Sequence, residues 1–182
     1  MNCRKEFLAM LELSEKVGSP NLTFQPGPVF ESQGRKGSID TLQAHLSELR
    51  QLKAGYRTSV SLEGHANTVI EESEVALDII KRSWPDIGYT YDPSHFVMGD
   101  IPLRRTEGLL DYTVHVHVRN ASLGKMQDTM ANGNMDIEWL VSALKAHGYE
   151  GALSIEYFRD FDSDFVSTLA LQRLLVELGV EL

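Results

Sequence analysis

Short extended segments and longer amphipathic segments alternate along almost the whole chain, and this alternation is the feature that most restricts its fold. The helical patterns cover residues 3–17, 38–53, 71–83, 103–109, 136–147 and 164–178, and the extended segments cover residues 21–25, 58–62, 87–91, 112–118 and 152–157. Strands that alternate with helices form a parallel sheet with helical crossovers, either as an open doubly wound fold or as a closed barrel. No glycine-rich turn follows the first strand, so the dinucleotide-binding version of the open fold has no support.

The composition is that of a globular protein with an acidic surface. The 182 residues carry a formal net charge of −9, which argues against nucleic-acid binding because phosphate contacts require a basic face. The single cysteine, Cys3, excludes an intramolecular disulfide and suits a reducing compartment. No segment is apolar over the length of a membrane span, and residues 1–17 form an amphipathic pattern rather than a signal peptide. We therefore expect a cytoplasmic protein that binds neither nucleic acid nor membrane.

Four predicted strands carry, at or near their carboxyl ends, side chains that can bind a metal ion. Glu63 ends Ser-Val-Ser-Leu-Glu, Asp92 ends Ile-Gly-Tyr-Thr-Tyr-Asp, His117 lies in Val-His-Val-His-Val, and Glu156 ends Ala-Leu-Ser-Ile-Glu. Parallel α/β folds build their sites at the carboxyl ends of the strands. Three carboxylates at one edge repel each other unless a cation lies between them, and this donor set suits a divalent ion. We predict Mn²⁺ first, with Co²⁺, Mg²⁺ or Zn²⁺ as alternatives.

The residues around these strand ends form short motifs in a fixed order: Leu62-Glu63-Gly64-His65, Tyr91-Asp92-Pro93-Ser94-His95, His115-Val116-His117-Val118-Arg119-Asn120 and Ser154-Ile155-Glu156. In this order they resemble the xylose-isomerase-like TIM barrel superfamily. That group includes sugar phosphate isomerases and epimerases, ketose 3-epimerases, inositol-pathway isomerases and dehydratases, and endonuclease IV. The resemblance extends over nearly the whole chain and implies an α/β fold with a (β/α) TIM-barrel-like parallel sheet.

The same resemblance implies a role for each strand-end residue. Glu63, Asp92, His117 and Glu156 would be the metal ligands. Glu63 and Glu156 would also act as the acid and base that exchange a proton at a substrate carbon beside a metal-bound carbonyl. His95 would hydrogen-bond the substrate or join a second metal.

Three further side chains lie within these motifs. His115 and His117 are two residues apart and point to the same side of their strand, so one of them lies deeper. We expect His117 to bind the metal, and His115 to be a substrate-binding group or a hydrogen-bonded core histidine. Arg119 continues the same face and would hold a substrate hydroxyl or phosphate, or else be a solvated loop residue. His65 is predicted to line the mouth of the barrel.

Two departures from the family pattern narrow the function. Gln25 stands where many relatives carry a metal-site histidine before Pro-Gly, which argues against a multinuclear metal site. Endonuclease IV relatives also need an Asp-x-His motif after the strand that contains His117, and residues 120–136 contain none. Together with the acidic charge, these departures argue against DNA repair.

The length of the chain is the third departure. A complete barrel has about 250 residues, whereas residues 1–182 form one predicted domain that opens with a helix resembling the one before the third strand. We therefore predict an incomplete barrel that lacks about the first two βα units. The strand near Thr23 would then be an exposed edge. It would remain open, pair with another chain in a homo-oligomer, or belong with an N-terminal region lost from the reading frame.

These observations favour a metal-dependent isomerase or epimerase of a small sugar, sugar phosphate or polyol. Two alternatives stay open. One is a metal-dependent dehydratase of the inositol type, which would use the same ion as a Lewis acid. The other is a non-catalytic binding or assembly protein that retains the fold.

Overall fold

A computed structural model describes residues 3–181, and its five strands alternate with helices in the order that the sequence predicts. The strands are β1 Asn21–Phe24, β2 Ser59–Glu63, β3 Gly88–Tyr91, β4 Thr113–Val118 and β5 Leu153–Ile155. The helices are α1 Cys3–Val17, α2 Gly34–Lys53, α3 Ser73–Ser83, α4 Pro93–Met98, α5 Ile137–Ala146 and α6 Val166–Glu177, with a 3₁₀ helix, Leu103–Tyr112, before β4.

The five strands form one sheet in the order β1-β2-β3-β4-β5, and the pairs β1–β2, β2–β3 and β4–β5 are parallel. Parallel strands in sequential order with a helical crossover after each one are the arrangement of a TIM barrel. The predicted fold class, an incomplete α/β barrel, is confirmed. A closed barrel has eight strands, three more than the described residues contain, whereas the sequence pattern predicted that about two βα units are missing.

The chain divides into two compact units, one up to Thr90 and the other from Tyr91 onward. In the first unit, the apolar side chains of β2 and of the helices form a core that includes the buried residues Leu11, Leu42, Leu46, Val60 and Leu62. In the second unit, Val116 and Val118 of β4 are fully buried, as are Leu140 of α5 and Leu171 of α6. Strands β2 and β4 therefore bury alternate apolar residues on one face, because alternate side chains point to opposite sides.

The opposite face of the first unit's strands is polar. The hydroxyls of Thr23, Ser61 and Thr90 hydrogen-bond one another across three strands, with oxygen–oxygen distances of 2.6 Å between Ser61 and Thr90 and 2.9 Å between Thr23 and Thr90. Asn21 Nδ2 donates to Ser61 Oγ at 2.8 Å. We call Asn21, Thr23, Ser61 and Thr90 the hydroxyl layer. A packed barrel normally fills this position with branched aliphatic side chains.

Two element boundaries differ from the sequence prediction. The predicted helix 38–53 begins earlier, at Gly34, and the Ser38 hydroxyl donates to the Gly34 carbonyl at 2.8 Å within α2. Helix α4 was not predicted, and it begins directly after Asp92 with Pro93 in its first turn. Asp136, the first residue of the predicted helix 136–147, caps α5, since its carboxylate accepts from Trp139 N at 2.9 Å.

The loop between β4 and α5 is held by side-chain bonds at its base. Asn120 Nδ2 donates to the Thr129 carbonyl at 3.1 Å, and Asn120 Oδ1 accepts from Met135 N at 3.2 Å. Gly133 lies against that amide, and a Cβ there would lie 2.2 Å from Asn120 Cγ. The loop therefore needs glycine at position 133, because the side-chain amide of Asn120 lies too close to leave room for a Cβ.

No helix within residues 3–181 has the length and apolar character needed to cross a bilayer.

Candidate metal centre

Asp92 lies directly after β3 and is fully buried. Its Oδ1 accepts from Ser94 N at 3.0 Å and from Ser94 Oγ at 2.5 Å, so the same side chain caps α4. Proline at the next position fixes a backbone angle that suits a first helical turn. Burial raises the pKa of Asp92, while the Arg119 guanidinium and the bonds from Ser94 act in the opposite direction.

His117 and Glu156 come from the neighbouring strands β4 and β5. Glu156 follows β5 directly, and its backbone N–H continues the ladder to the Val118 carbonyl at 3.1 Å. This register places His117 Nδ1 at 3.3 Å from Glu156 Oε2. The His117 side chain is 16% exposed and that of Glu156 is 39% exposed, so the pair faces a solvent-accessible edge rather than the core.

His115 lies one step deeper on the same face of β4. Its ring centroid is 5.0 Å from that of His117 at an interplanar angle of 87°, and its Nε2 lies 3.2 Å from Ser154 Oγ. The two histidines therefore share a face, as the spacing of two predicted. The contact with Ser154 agrees with a hydrogen-bonded histidine beneath the strand ends.

Arg119 donates hydrogen bonds to three residues of the second unit, and only 2% of its side chain is exposed. Its Nη2 donates to Asp92 Oδ2, its Nη1 donates to Glu156 Oε2 at 2.9 Å and to the Glu156 carbonyl at 3.1 Å, and its Nε donates to Ser94 Oγ at 3.0 Å. The sequence predicted a substrate-binding or solvated arginine. The guanidinium is not solvated, and it joins two of the predicted ligands, Asp92 and Glu156.

His95 belongs to the same network. It is 4% exposed, and its Nε2 lies 3.4 Å from Asp92 Oδ2 and 3.5 Å from Arg119 Nη2. The i,i+3 spacing on α4 brings it beside Asp92. The structure thus places His95 next to the candidate ligands.

Glu63 and His65 belong to the first unit. Glu63 ends β2, is 8% exposed, and is paired in register with Thr90. The next residue, Gly64, donates its N–H to the Thr90 carbonyl at 3.2 Å, and a Cβ there would meet the Tyr89 hydroxyl at 1.7 Å. Glycine is therefore required after Glu63. The His65 Nδ1 lies 2.8 Å from the Ala66 carbonyl.

Three predicted ligands come together in the second unit. One ligand atom from each of Asp92, His117 and Glu156 lies within 4.8 Å of the ligand atoms of the other two. Two carboxylates and one imidazole form an oxygen-rich donor set with a single nitrogen, which suits Mn²⁺, Mg²⁺ or Zn²⁺. Their chemistry and spacing fit a divalent ion.

Two residues of this region were missed by the sequence prediction. Ser94 links Asp92 to Arg119 through its hydroxyl, and the Asp-Pro-Ser pattern of a helix start was the signal that could have assigned it as a cap contact. Tyr157 follows Glu156, and its hydroxyl accepts from Asn120 N at 2.8 Å, which ties the loop after β4 to β5. A tyrosine after a strand carries no comparable sequence signal.

Comparison with known proteins gives a family, several relatives and a fold. A family profile described as "Xylose isomerase-like TIM barrel" matches residues 3–173. Proteins named inosose isomerase from Bacillus velezensis and Bacillus subtilis are 25% identical over 169 residues, which is 85% of this chain and 59% of theirs. The chain therefore spans less than two thirds of the length of these curated relatives.

Solved structures show the same fold. A D-tagatose 3-epimerase-like protein superposes with a TM-score of 0.76 at 23% identity, covering 94% of this chain and 68% of the other. A protein called IOLI, solved with a bound zinc atom, has a TM-score of 0.70 at 21% identity, covering 96% of this chain and 68% of the other. A Mycobacterium smegmatis protein of this fold, in complex with magnesium, also has a TM-score of 0.70, at 15% identity, with 96% and 66% covered.

Proposed function

The chain belongs to the xylose isomerase-like TIM barrel family, and from that premise we propose that it is a divalent-metal-dependent isomerase or epimerase of a small sugar or polyol. The observation that carries the proposal is the convergence of Asp92, His117 and Glu156 at the carboxyl ends of β3, β4 and β5. The names of the relatives support the same class of reaction, because they include inosose isomerases and a sugar epimerase-like protein.

Glu63, Asp92, His117 and Glu156 would hold the ion, which we propose to be Mn²⁺ before Co²⁺, Mg²⁺ or Zn²⁺. A bound divalent ion would polarise a substrate carbonyl and so acidify the neighbouring C–H. Asp92 is held ready for this role because Ser94 and Arg119 fix both of its carboxylate oxygens. Fixing a ligand's orientation before binding lowers the entropy lost on coordination.

The proton would move between carbon and a glutamate. Glu156 has a side chain that is 39% exposed and so has access to a bound molecule. Glu63 is proposed as its partner, which would return a proton to the carbon. His95, His115 and His65 are proposed as groups that hydrogen-bond the substrate, with His95 nearest to the candidate ligands.

The first prediction concerns metal binding by the chain itself. Protein stripped with a chelator should take up one equivalent of Mn²⁺ in a calorimetric titration. At a free Mn²⁺ concentration of 100 times Kd, the ion should stabilise the fold by about 2.7 kcal/mol in urea unfolding. Asp92→Asn should abolish the uptake, whereas Asp100→Asn, which changes an exposed aspartate eight residues away, should bind as the wild type does. A wild-type chain without stoichiometric uptake would contradict the proposal.

The second prediction concerns the proton transfer. Glu156→Gln should lower solvent deuterium exchange at the substrate's stereocentre by about a hundredfold or more, because general acid–base groups contribute factors of that size. Nuclear magnetic resonance in D₂O measures this exchange directly. The control is Glu150→Gln, an exposed glutamate just before β5. Unchanged exchange in the Glu156 variant would remove that residue from the acid–base role.

One observation favours a second candidate function, a binding protein that retains the fold without catalysis. The Arg119 guanidinium contacts the carboxylates of both Asp92 and Glu156, so a positive charge of the protein already lies beside two of the proposed ligands. Such a protein would not need a metal to fold or to bind a partner. The titration above separates the two functions, because this alternative predicts no stoichiometric uptake and no change in stability with Mn²⁺.

A further inference from the structure

Asn132 ends the turn 130–132 and is followed directly by Gly133. Of the asparagines in the sequence, Asn132 alone precedes a glycine. Asparagine is a chemically labile residue, and it is most labile before glycine, because no Cβ shields the next backbone nitrogen. Asn132 is exposed, and its side-chain amide forms no hydrogen bond within residues 3–181. The carbon of that amide is therefore open to attack.

The reaction requires this dipeptide and one water molecule. The deprotonated backbone nitrogen of Gly133 attacks Cγ of Asn132, a C–N bond forms, and the side-chain nitrogen leaves as ammonia. Water then opens the resulting five-membered imide at one of its two carbonyls. Opening at Cγ gives aspartate. Opening at the main-chain carbonyl gives isoaspartate, in which the backbone runs through the former side chain.

The folded loop between β4 and α5 opposes this attack. Gly133 N donates to the Thr129 carbonyl at 2.9 Å. The next backbone N–H, that of Asn134, donates to the Ala121 carbonyl at 2.9 Å. Gly133 also lies against the side-chain amide of Asn120. Its nitrogen must therefore leave a hydrogen bond and turn toward the preceding side chain before it can react, and a bonded segment does so only when it opens locally.

We propose that Asn132-Gly133 is a self-modifying site, at which Asn132 becomes aspartate or isoaspartate at a rate set by local opening of this loop. The isoaspartate product has one more methylene in its backbone, so the two backbone bonds that hold Gly133 and Asn134 cannot both persist. The modification therefore loosens the base of the loop, and a modified chain opens more readily than its parent.

Peptide mapping by mass spectrometry follows the reaction in wild-type chain kept at pH 8.5 and 37 °C. One sample is native, and the other is unfolded in guanidinium chloride. We expect measurable conversion of Asn132 in both samples, at least about tenfold slower in the native one, and much less conversion of Asn134. Absence of conversion at Asn132 in the native sample would overturn the site. Equal rates in the two samples would overturn the control by loop opening.

Two variants test the cause. Gly133→Ala places a methyl group beside the attacking nitrogen and should slow the conversion severalfold in guanidinium chloride, where folding has no part. Asn120→Ala removes the amide that lies against Gly133 and should speed the conversion severalfold in native protein. Leu123→Ala, at a 66% exposed position of the same loop, should leave the native rate unchanged. An unchanged rate in the Gly133 variant would overturn the chemistry, and one in a natively folded Asn120 variant would overturn the role of the loop base.

The modified chains test the consequence. They separate from the parent by ion exchange, because each carries one more negative charge. The isoaspartate fraction should unfold at a lower urea concentration than the parent. Asn132→Asp, which reproduces the other product, should unfold as the parent does, because the Asn132 side chain forms no hydrogen bond within the described part of the chain. Equal midpoints for the isoaspartate fraction and the parent would overturn the loosening of the loop.

Discussion

The contact between Arg119 and Asp92 is the most consequential pairwise interaction of the second unit. Both side chains are almost completely buried, at 2% and 0% exposure. A buried carboxylate without its counter-charge is strongly unfavourable, whereas an exposed ion pair contributes little. The surface pair of Arg82 and Asp78 on α3, with side chains more than half exposed, is an example of the second kind. Arg119 therefore has a structural role that is independent of any ligand.

Replacement of Arg119 should destabilise the metal-free protein if the arginine has this structural role. Arg119→Met keeps the length of the side chain and removes the charge, and it should lower the free energy of unfolding by about 3 kcal/mol, the size of a broken buried pair. Urea unfolding followed by circular dichroism measures the change. Arg173→Met, on an exposed position of α6, should change the stability little. A loss of less than about 1 kcal/mol in the Arg119 variant would show that water replaces the guanidinium.

At the scale of single elements, the end of α5 is joined to the 3₁₀ helix by a histidine. His147 Nδ1 lies 2.6 Å from Asp111 Oδ1, and its Nε2 lies 3.5 Å from Glu107 Oε1. The hydrogen bond to Asp111 raises the pKa of His147, with partial opposition from burial and a further rise from Glu107. His147 therefore binds its proton more tightly in the folded chain than in the unfolded chain.

The raised pKa of His147 makes the stability of the fold depend on pH in one direction. A raised pKa stabilises the fold below the unfolded pKa of histidine, about 6.5, and the contribution is lost as pH rises through the higher folded value. His147→Gln should therefore lower the melting temperature at pH 5.5, and the difference from the wild type should shrink as pH rises above 6.5. Thermal melts across that range measure it. A difference that is constant with pH would show that the ring acts by packing alone.

The loop after β4 gives a second prediction at this scale. Gly133→Ala would push a methyl group into the Asn120 amide, which bonds both Thr129 and Met135. Overpacking of this kind destabilises by about 2 kcal/mol. Ala131→Ser, at an exposed position of the same loop, should have no measurable effect in the same urea titration. Equal stability of the two variants would show that Asn120 can swing aside.

The helices and strands could be predicted where a periodic sequence pattern determines them. They could not be predicted where a local hydrogen bond determines where an element begins. All five strands and their order follow from the alternation and from the parallel architecture, and the strand-end residues follow from the same rule. The start of α2 was predicted too late, at Ser38, because a serine can either cap a helix or bond the carbonyl four residues back within one. The partners of Arg119 depend on side chains 25 to 37 residues away in sequence, which no local pattern encodes.

At the scale of the whole molecule, apolar surface on α6 is the feature that bears on assembly. Val166, Leu169 and Val176 are 70%, 47% and 46% exposed, and their spacing places them along one face of the helix. Contiguous exposed apolar residues of this kind mark interaction surfaces. We propose this face as a second candidate contact between chains, besides the open edge near Thr23 that the homo-oligomer predicted from the sequence would cover.

Assembly is measured by light scattering after size-exclusion chromatography. We expect the wild-type chain to have at least twice the mass of one chain at micromolar concentration. The double variant Val166→Glu, Leu169→Glu should have the mass of a single chain, because two charges on the face oppose burial. A single-chain mass for the wild type at every concentration would contradict the oligomer prediction.

The hydroxyl layer of the first unit has a consequence for how such a chain can evolve. Because Asn21, Thr23, Ser61 and Thr90 hydrogen-bond one another, that side of β1, β2 and β3 is polar rather than apolar. Strands of this kind can meet solvent, a small molecule or further strands without a large difference in free energy. Recombination that joined such a segment to different neighbouring segments would then expose no apolar surface on this side. This block of βα units is therefore suited to exchange between related barrels.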